Sequence, residues 1–203
     1  MEIKDFLDKL ASSTPTPGGG SASALAGALS ASLVAMVAGL SNGKGMAEIR
    51  KKALTIQKRL YLAIEEDAKS FDTVLEAFRL PKNSEKEKLR RGREIQKAYR
   101  NATIVPEQVC QHSIKLLELS ETLLLKGNPN AFSDAGVAAF LADTALSGGL
   151  LNVRINLISL TEKSFVKKMN SLTRQWARKR NRLAEGIQKV LDQTHVQLKL
   201  FTK

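Results

Sequence analysis

The stretch STPTPGGGSASALAGALSASLVAMVAGLSNGK, Ser13 to Lys44, decides how the chain is read. From Ser21 to Leu40 it carries no charge, close to the length a bilayer core demands. Its composition points elsewhere. Serine and glycine recur along it, aromatic ends are missing, and the chain opens Met1-Glu2-Ile3-Lys4, unlike a secretory signal. The reading is a buried helix whose small side chains let other backbones come close: the strut of a helical core, or one shared between two subunits. Gly18-Gly19-Gly20 ahead of it serve either as a tight turn with Ser21 as the helix cap or, through bare amides at the positive end of the dipole, as an anion site.

The rest of the composition agrees. The 203 residues, 43% hydrophobic, suffice for one domain spanning 1–203. Aromatic residues are only 5% and prolines five, which favours an all-α bundle of antiparallel helices. A lone cysteine, Cys110, excludes an internal disulfide, and with no signal segment a cytoplasmic address is expected. His112 and His195 lack ligand spacing, so no metal site is expected, and nothing around Cys110 marks a nucleophile.

The formal charge of +12 is unevenly placed. Residues 42–100 hold sixteen Lys and Arg against nine acids and 161–203 eleven against three, whereas the apolar segments are near neutral. Solvated helix faces account for this; no aromatic interleaving accompanies the charge, so neither nucleic acid nor membrane is expected as a partner.

Periodicity predicts a short amphipathic helix over 2–11, the apolar helix to Leu40, and a long helix from Met46 to Leu80. Pro81 ends that helix. Ser84 and Glu87 form a capping box for another helix to about Val105, with Pro106 starting the next or kinking the chain. Ser133 or Asp134 caps an apolar helix to about Leu160, and Thr161 opens a basic last helix.

One polar residue breaks the apolar period of the third helix. Ile49, Ala53, Ile56, Leu60, Ile64, Phe71, Val74 and Phe78 mark its inner face, and Asp67 fills the gap in register while Glu65 and Glu66 turn away. An inward carboxylate is either tied to a neighbouring cation or used as a general acid or base. Asn152, Asn156 and Ser159 form a second polar row, continued by Gly148 and Ala145, which fits either interhelical hydrogen bonds or the edge of a flat heterocycle. Arg154 lies off that row, available to an anion or to Asp143.

Taken in order, PTPGGGSASALAGAL (15–29), EDAKSFDTVLEAFRLPK (66–82), Val105-Pro106, GNPNAFSDAGVAA (127–139) and NVRINL (152–157) resemble the cyclodeaminase and cyclohydrolase family of folate enzymes. The resemblance spans about Ser13 to Phe165 and implies an all-helical homodimer. It implies Asp67 as the catalytic acid or base and a tetrahydrofolate derivative as substrate, with no other cofactor. Gly18, Gly19, Gly20, Ser21, Ser133, Asp134, Asn152, Arg154 and Asn156 would surround the folate, and Lys44 would meet a glutamate tail, polyglutamylated or not. Cyclodeamination of 5-formiminotetrahydrofolate to 5,10-methenyltetrahydrofolate is the first reaction implied, beside a formiminotransferase partner; hydrolysis of the methenyl compound to 10-formyltetrahydrofolate is the alternative. Two departures stand out: Gly45-Met46 follows Lys44 where relatives continue with basic and aromatic residues, and RQWARKRNR (174–182) is unusually basic. The latter leaves a third reading, a silent relative whose basic helices bind an acidic partner or nucleic acid.

Overall fold

The computed structural model describes residues 2–201. Six α-helices carry the fold: α1 (Ile3–Leu10), α2 (Gly19–Leu40), α3 (Met46–Arg79), α4 (Glu85–Lys126), α5 (Phe132–Ile158) and α6 (Lys163–Phe201). The all-α expectation holds, and no strand occurs among the described residues.

The apolar stretch is the strut around which the others pack. Gly20 faces Asp67, Gly27 faces Leu60 and Gly39 faces Arg50, so α3 runs antiparallel along one side of α2. On another side Gly19 meets Asn152, Gly148 meets Ser23, and the Ser30 hydroxyl donates to the Ala138 carbonyl at 2.7 Å, which sets α5 antiparallel as well. Both neighbours come this near because α2 presents mostly Gly, Ala and Ser. Ala24, Ala31, Val34 and Val37 are fully enclosed with Leu60, Leu116, Leu117 and Leu146 in the main core. Phe6 of α1 is buried in that same core.

Several boundaries differ from the sequence reading. Helix α2 begins at Gly19 with Gly18 as its cap, so Ser21 lies inside the first turn. Helix α5 starts at Phe132 behind a 3-10 turn, Pro129–Ala131, capped by the Asn128 side chain; neither Ser133 nor Asp134 is the cap. The last helix opens at Lys163. Phe78 is exposed, packing edge to face on Tyr99 with Arg91 over its ring. The Ser84–Glu87 capping box is present, Glu87 N–H donating to Ser84 Oγ at 3.2 Å.

The largest difference concerns Pro106. It neither starts a helix nor ends one: α4 runs unbroken through it for 42 residues, about 63 Å at the α-helical rise. A proline there withholds the N–H that would bond the carbonyl four residues back, Ala102. That carbonyl accepts instead from Asn156 Nδ2 on α5, at 2.9 Å.

Half of α2 and of α5 is not covered. Leu29, Met36 and Leu40 on α2 and Val137, Phe140, Leu151, Ile155 and Ile158 on α5 are exposed. Helix α2 and the segment Pro129–Ile158 are each long and apolar enough to cross a membrane, and about half of each is buried in the bundle.

The packing predicts opposite signs for one substitution. A Cβ at Gly27 would stand 2.8 Å from Leu60 Cδ1 and 3.4 Å from Ala145 Cβ, whereas one at Gly92 meets nothing within 4 Å. Gly27→Ala should destabilise by about 1–3 kcal/mol through overpacking. Gly92→Ala, in an exposed helix interior, should stabilise by up to about 1 kcal/mol. Urea unfolding of both variants checks the pair.

Candidate active site

Asp67 projects from α3 at the first turn of α2. Ser21 Oγ donates to its Oδ2 at 3.0 Å, and the Ser21 backbone N–H bonds the same carboxylate. Gly20 makes room for it, since a Cβ there would overlap the carboxylate. The helix start that reads in sequence as an anion site thus already holds an anion, supplied by the chain itself. No salt bridge joins Asp67 to Lys or Arg among the described residues. Burial pushes its pKa above the ordinary aspartate value, and the two Ser21 hydrogen bonds pull it part of the way back.

Around this carboxylate the chain gathers Gly18, Gly19, Gly20, Ser21 and Asn152. Asn152 Nδ2 donates to the Gly148 carbonyl at 2.9 Å and sits beside Gly19, where a Cβ would be 3.7 Å from it. The loop before α2 is anchored to α3 by the Thr16 hydroxyl, which donates to Asp72 Oδ1 at 2.9 Å. Thr16 is a contributor that motif reading missed; its only sequence signal is its place beside the proline-glycine run.

Other expected residues lie elsewhere. Lys44 follows the far end of α2, and Gly20 and Gly39 alone are separated by about 28 Å along that helix. Ser133 and Asp134, at the start of antiparallel α5, belong to that same far end, where Asn128 Nδ2 donates to the Leu40 carbonyl at 2.9 Å. An open cleft of about 660 Å³ lies there, lined by Gly39, Asn42, Arg50, Lys51, Thr55 and Lys58 among others. The two asparagines diverge: Asn152 stands by α2, while Asn156 is buried against α4. Arg154 is exposed and is not paired with Asp143, whose carboxylate takes both bonds from Arg180 at 2.6 Å.

Two further titratable groups fit a structural role. Burial, with Glu107 nearby, pushes the Cys110 thiol up to about 12, and its Sγ donates to the Leu146 carbonyl at 3.8 Å. It is no thiolate nucleophile at neutral pH. His112 is held below its usual pKa by burial and by Arg59, which keeps it neutral. The side chain of His195 lies outside the described residues.

A partly buried carboxylate that is hydrogen-bonded but has no cationic partner, and that holds its proton more tightly than an ordinary aspartate, is suited to moving protons. The comparisons with known proteins point the same way. The family model described as formiminotransferase-cyclodeaminase matches residues 2–175. A methenyltetrahydrofolate cyclohydrolase from Methylorubrum extorquens is 40% identical over 82% of this chain and 84% of its own length. The mouse formimidoyltransferase-cyclodeaminase is 30% identical over 82% of this chain, which spans 32% of that longer protein. The crystal structure of formiminotetrahydrofolate cyclodeaminase from Thermotoga maritima superposes with a TM-score of 0.84 at 27% identity, covering 96% of this chain and 97% of that one.

The raised pKa carries a stability sign. Folded Asp67 binds its proton more tightly than the unfolded chain does, so the folded state is favoured at low pH and loses stability as pH rises through the folded pKa. At pH 7 Asp67→Asn should therefore unfold at a higher urea concentration than the wild type, with a flatter pH dependence. A variant less stable than the wild type at pH 7 would show the carboxylate to be a structural tie instead.

Proposed function

Because the chain belongs to the formiminotransferase-cyclodeaminase family of enzymes, we propose that it catalyses proton-assisted chemistry at the one-carbon bridge of a tetrahydrofolate, with Asp67 as general acid and base. The observation that carries this reading is the Asp67 carboxylate, held by Ser21 at the start of α2 with its pKa raised by burial.

Ring opening takes precedence over deamination. Similarity across most of a stand-alone cyclohydrolase supports it, whereas the cyclodeaminase domain is only part of the longer relatives. In this reaction water adds to the carbon between N5 and N10 of 5,10-methenyltetrahydrofolate as Asp67 takes one of its protons. The bond from that carbon to N5 then breaks as the new hydroxyl gives up its proton to solvent to form the formyl carbonyl. Asp67 returns its own proton to N5, and 10-formyltetrahydrofolate leaves with one proton released overall, since the methenyl compound is a cation. The second reading uses the same base: N10 of 5-formiminotetrahydrofolate attacks the formimino carbon, Asp67 takes the N10 proton, and ammonia departs with a proton returned. The likeness to the Thermotoga protein favours it, and a separate formiminotransferase would supply that substrate.

The flat ring would lie against Gly18, Gly19 and Asn152, close to the carboxylate. Arg154 is reserved for the anionic tail, and Lys44, Ser133 and Asp134, at the other end of the bundle, would reach the substrate only from a second subunit. The exposed apolar stripes of α2 and α5 support a homodimer, in which a second copy covers Leu29, Met36, Phe140 and Ile155. A cytoplasmic address completes this reading.

Purified protein should speed the loss of methenyl absorbance from 5,10-methenyltetrahydrofolate, and Asp67→Asn should lower kcat by about 10²-fold or more. As a base Asp67 works ionised, so kcat/KM should fall as pH drops through a value above the ordinary aspartate range. Folded protein that accelerates neither this reaction nor methenyl formation from the formimino compound would overturn the proposal. Gly20→Ala, which drives a methyl into the carboxylate, should lose activity about as severely as Asp67→Asn.

A further inference from the structure

We propose that Asn156 is a positioning residue matched to Pro106, and that it does not bind substrate. Its amide replaces the hydrogen bond that a proline denies to α4, and in doing so sets the register of α5 against α4 that holds Asn152 beside Gly19 and Asp67.

The geometry is specific. Pro106 has no N–H, so the Ala102 carbonyl lacks its helical donor at a point where both residues are buried. An unmet buried carbonyl is costly, and a proline ring pushes that carbonyl away from the helix axis. Asn156 Nδ2 meets it at 2.9 Å from a helix 54 residues further along the chain. Asn156 is itself 9% exposed, which leaves little of it for a ligand.

The contact belongs to a longer seam that admits little sliding. Two turns earlier on α5, Gly149 lies against the Pro106 carbonyl and Cys110; a Cβ there would stand 2.7 Å from Cys110 Sγ and 3.2 Å from the Pro106 oxygen. Between them Val153 is fully buried. Asn152 is one turn from Asn156 on the neighbouring face, so a rotation or slip of α5 on α4 moves Asn152 away from α2. Val105-Pro106 and NVRINL, distant in sequence, are therefore two halves of one device. Pro106 creates the acceptor and Asn156 supplies the donor.

A double-mutant cycle tests this directly. Asn156→Leu keeps the size of the side chain and removes the donor. Pro106→Ala restores a backbone N–H that can bond Ala102 within α4. In the wild-type background Asn156→Leu should lower the urea midpoint and cut kcat about tenfold or more, with KM changed less than about threefold. In the Pro106→Ala background the same substitution should change both stability and kcat by less than about threefold in the corresponding constants. Equal losses in the two backgrounds, or a loss confined to KM in both, would overturn the proposal and return Asn156 to the substrate. If Asn156→Leu alone yields no folded protein, folding of the double variant supports the pairing and its failure refutes it. The kinetic arm rests on the folate reaction proposed above. A wild-type protein inactive towards both folates would defeat that reaction and leave the coupling of the two stabilities to decide this one.

Discussion

The insertion of the Asp67 side chain at the N-terminus of α2 is the constraint on which the rest of the site depends. A carboxylate taken partly out of water needs compensating donors, and the first turn of a helix has N–H groups that the helix itself leaves unused. Ser21 gives both its hydroxyl and its backbone N–H. The arrangement requires glycine at position 20, because any Cβ would fill the space that the carboxylate occupies. It also requires α2 and α3 to remain in register over their length, with Gly27 on Leu60 and Gly39 on Arg50. The small residues of α2 are thus the condition for bringing a charge beneath a helix end, and the compensation is incomplete enough to leave Asp67 a tighter proton binder than an ordinary aspartate.

The same economy recurs at the α4–α5 seam. Close packing of two helices normally excludes a proline from the middle of one, since the freed carbonyl is stranded away from water. Here a side chain from the opposing helix meets that carbonyl, and Gly149 lets the backbones approach one step away. The outer helix α6 is held differently, by the bidentate Arg180–Asp143 pair and by Lys179–Glu118 at 2.5 Å. These pairs are partly exposed and contribute modestly to stability. They account for two of the basic charges in RQWARKRNR, whereas Arg178 and Arg182 line an open surface with Ser171, Arg174 and Gln175. The family match stops at residue 175, so most of that basic run lies beyond it.

The fold class was legible because hydrophobic period and residue size are local properties. Asp67 was legible for the same reason: one polar residue in an apolar register announces itself by spacing alone. The continuity of α4 was not, because the donor that rescues Ala102 lies on a different helix and proline rules describe a helix by itself. The cap of α2 is Gly18, three residues ahead of Ser21, because Ser21 has a stronger use in bonding Asp67, one visible only when α3 is alongside. The division of the expected site residues between two ends of the bundle was within reach: a helix of 22 residues is about 33 Å long, too far for Lys44 to share a compact pocket with Gly20 in one chain. Order along the chain is not proximity in this fold, because antiparallel packing sends successive motifs to opposite ends of the bundle.

The central claim is that Asp67 is a carboxyl group tuned by burial against two Ser21 hydrogen bonds. Carbon-13 NMR titration of the Asp67 carboxyl, in the wild type and in Ser21→Ala, measures this without any substrate. The account predicts an apparent pKa above the ordinary aspartate value in the wild type, and a further rise when the Ser21 hydroxyl is removed. An Asp67 that titrates at the ordinary value in both proteins would contradict it.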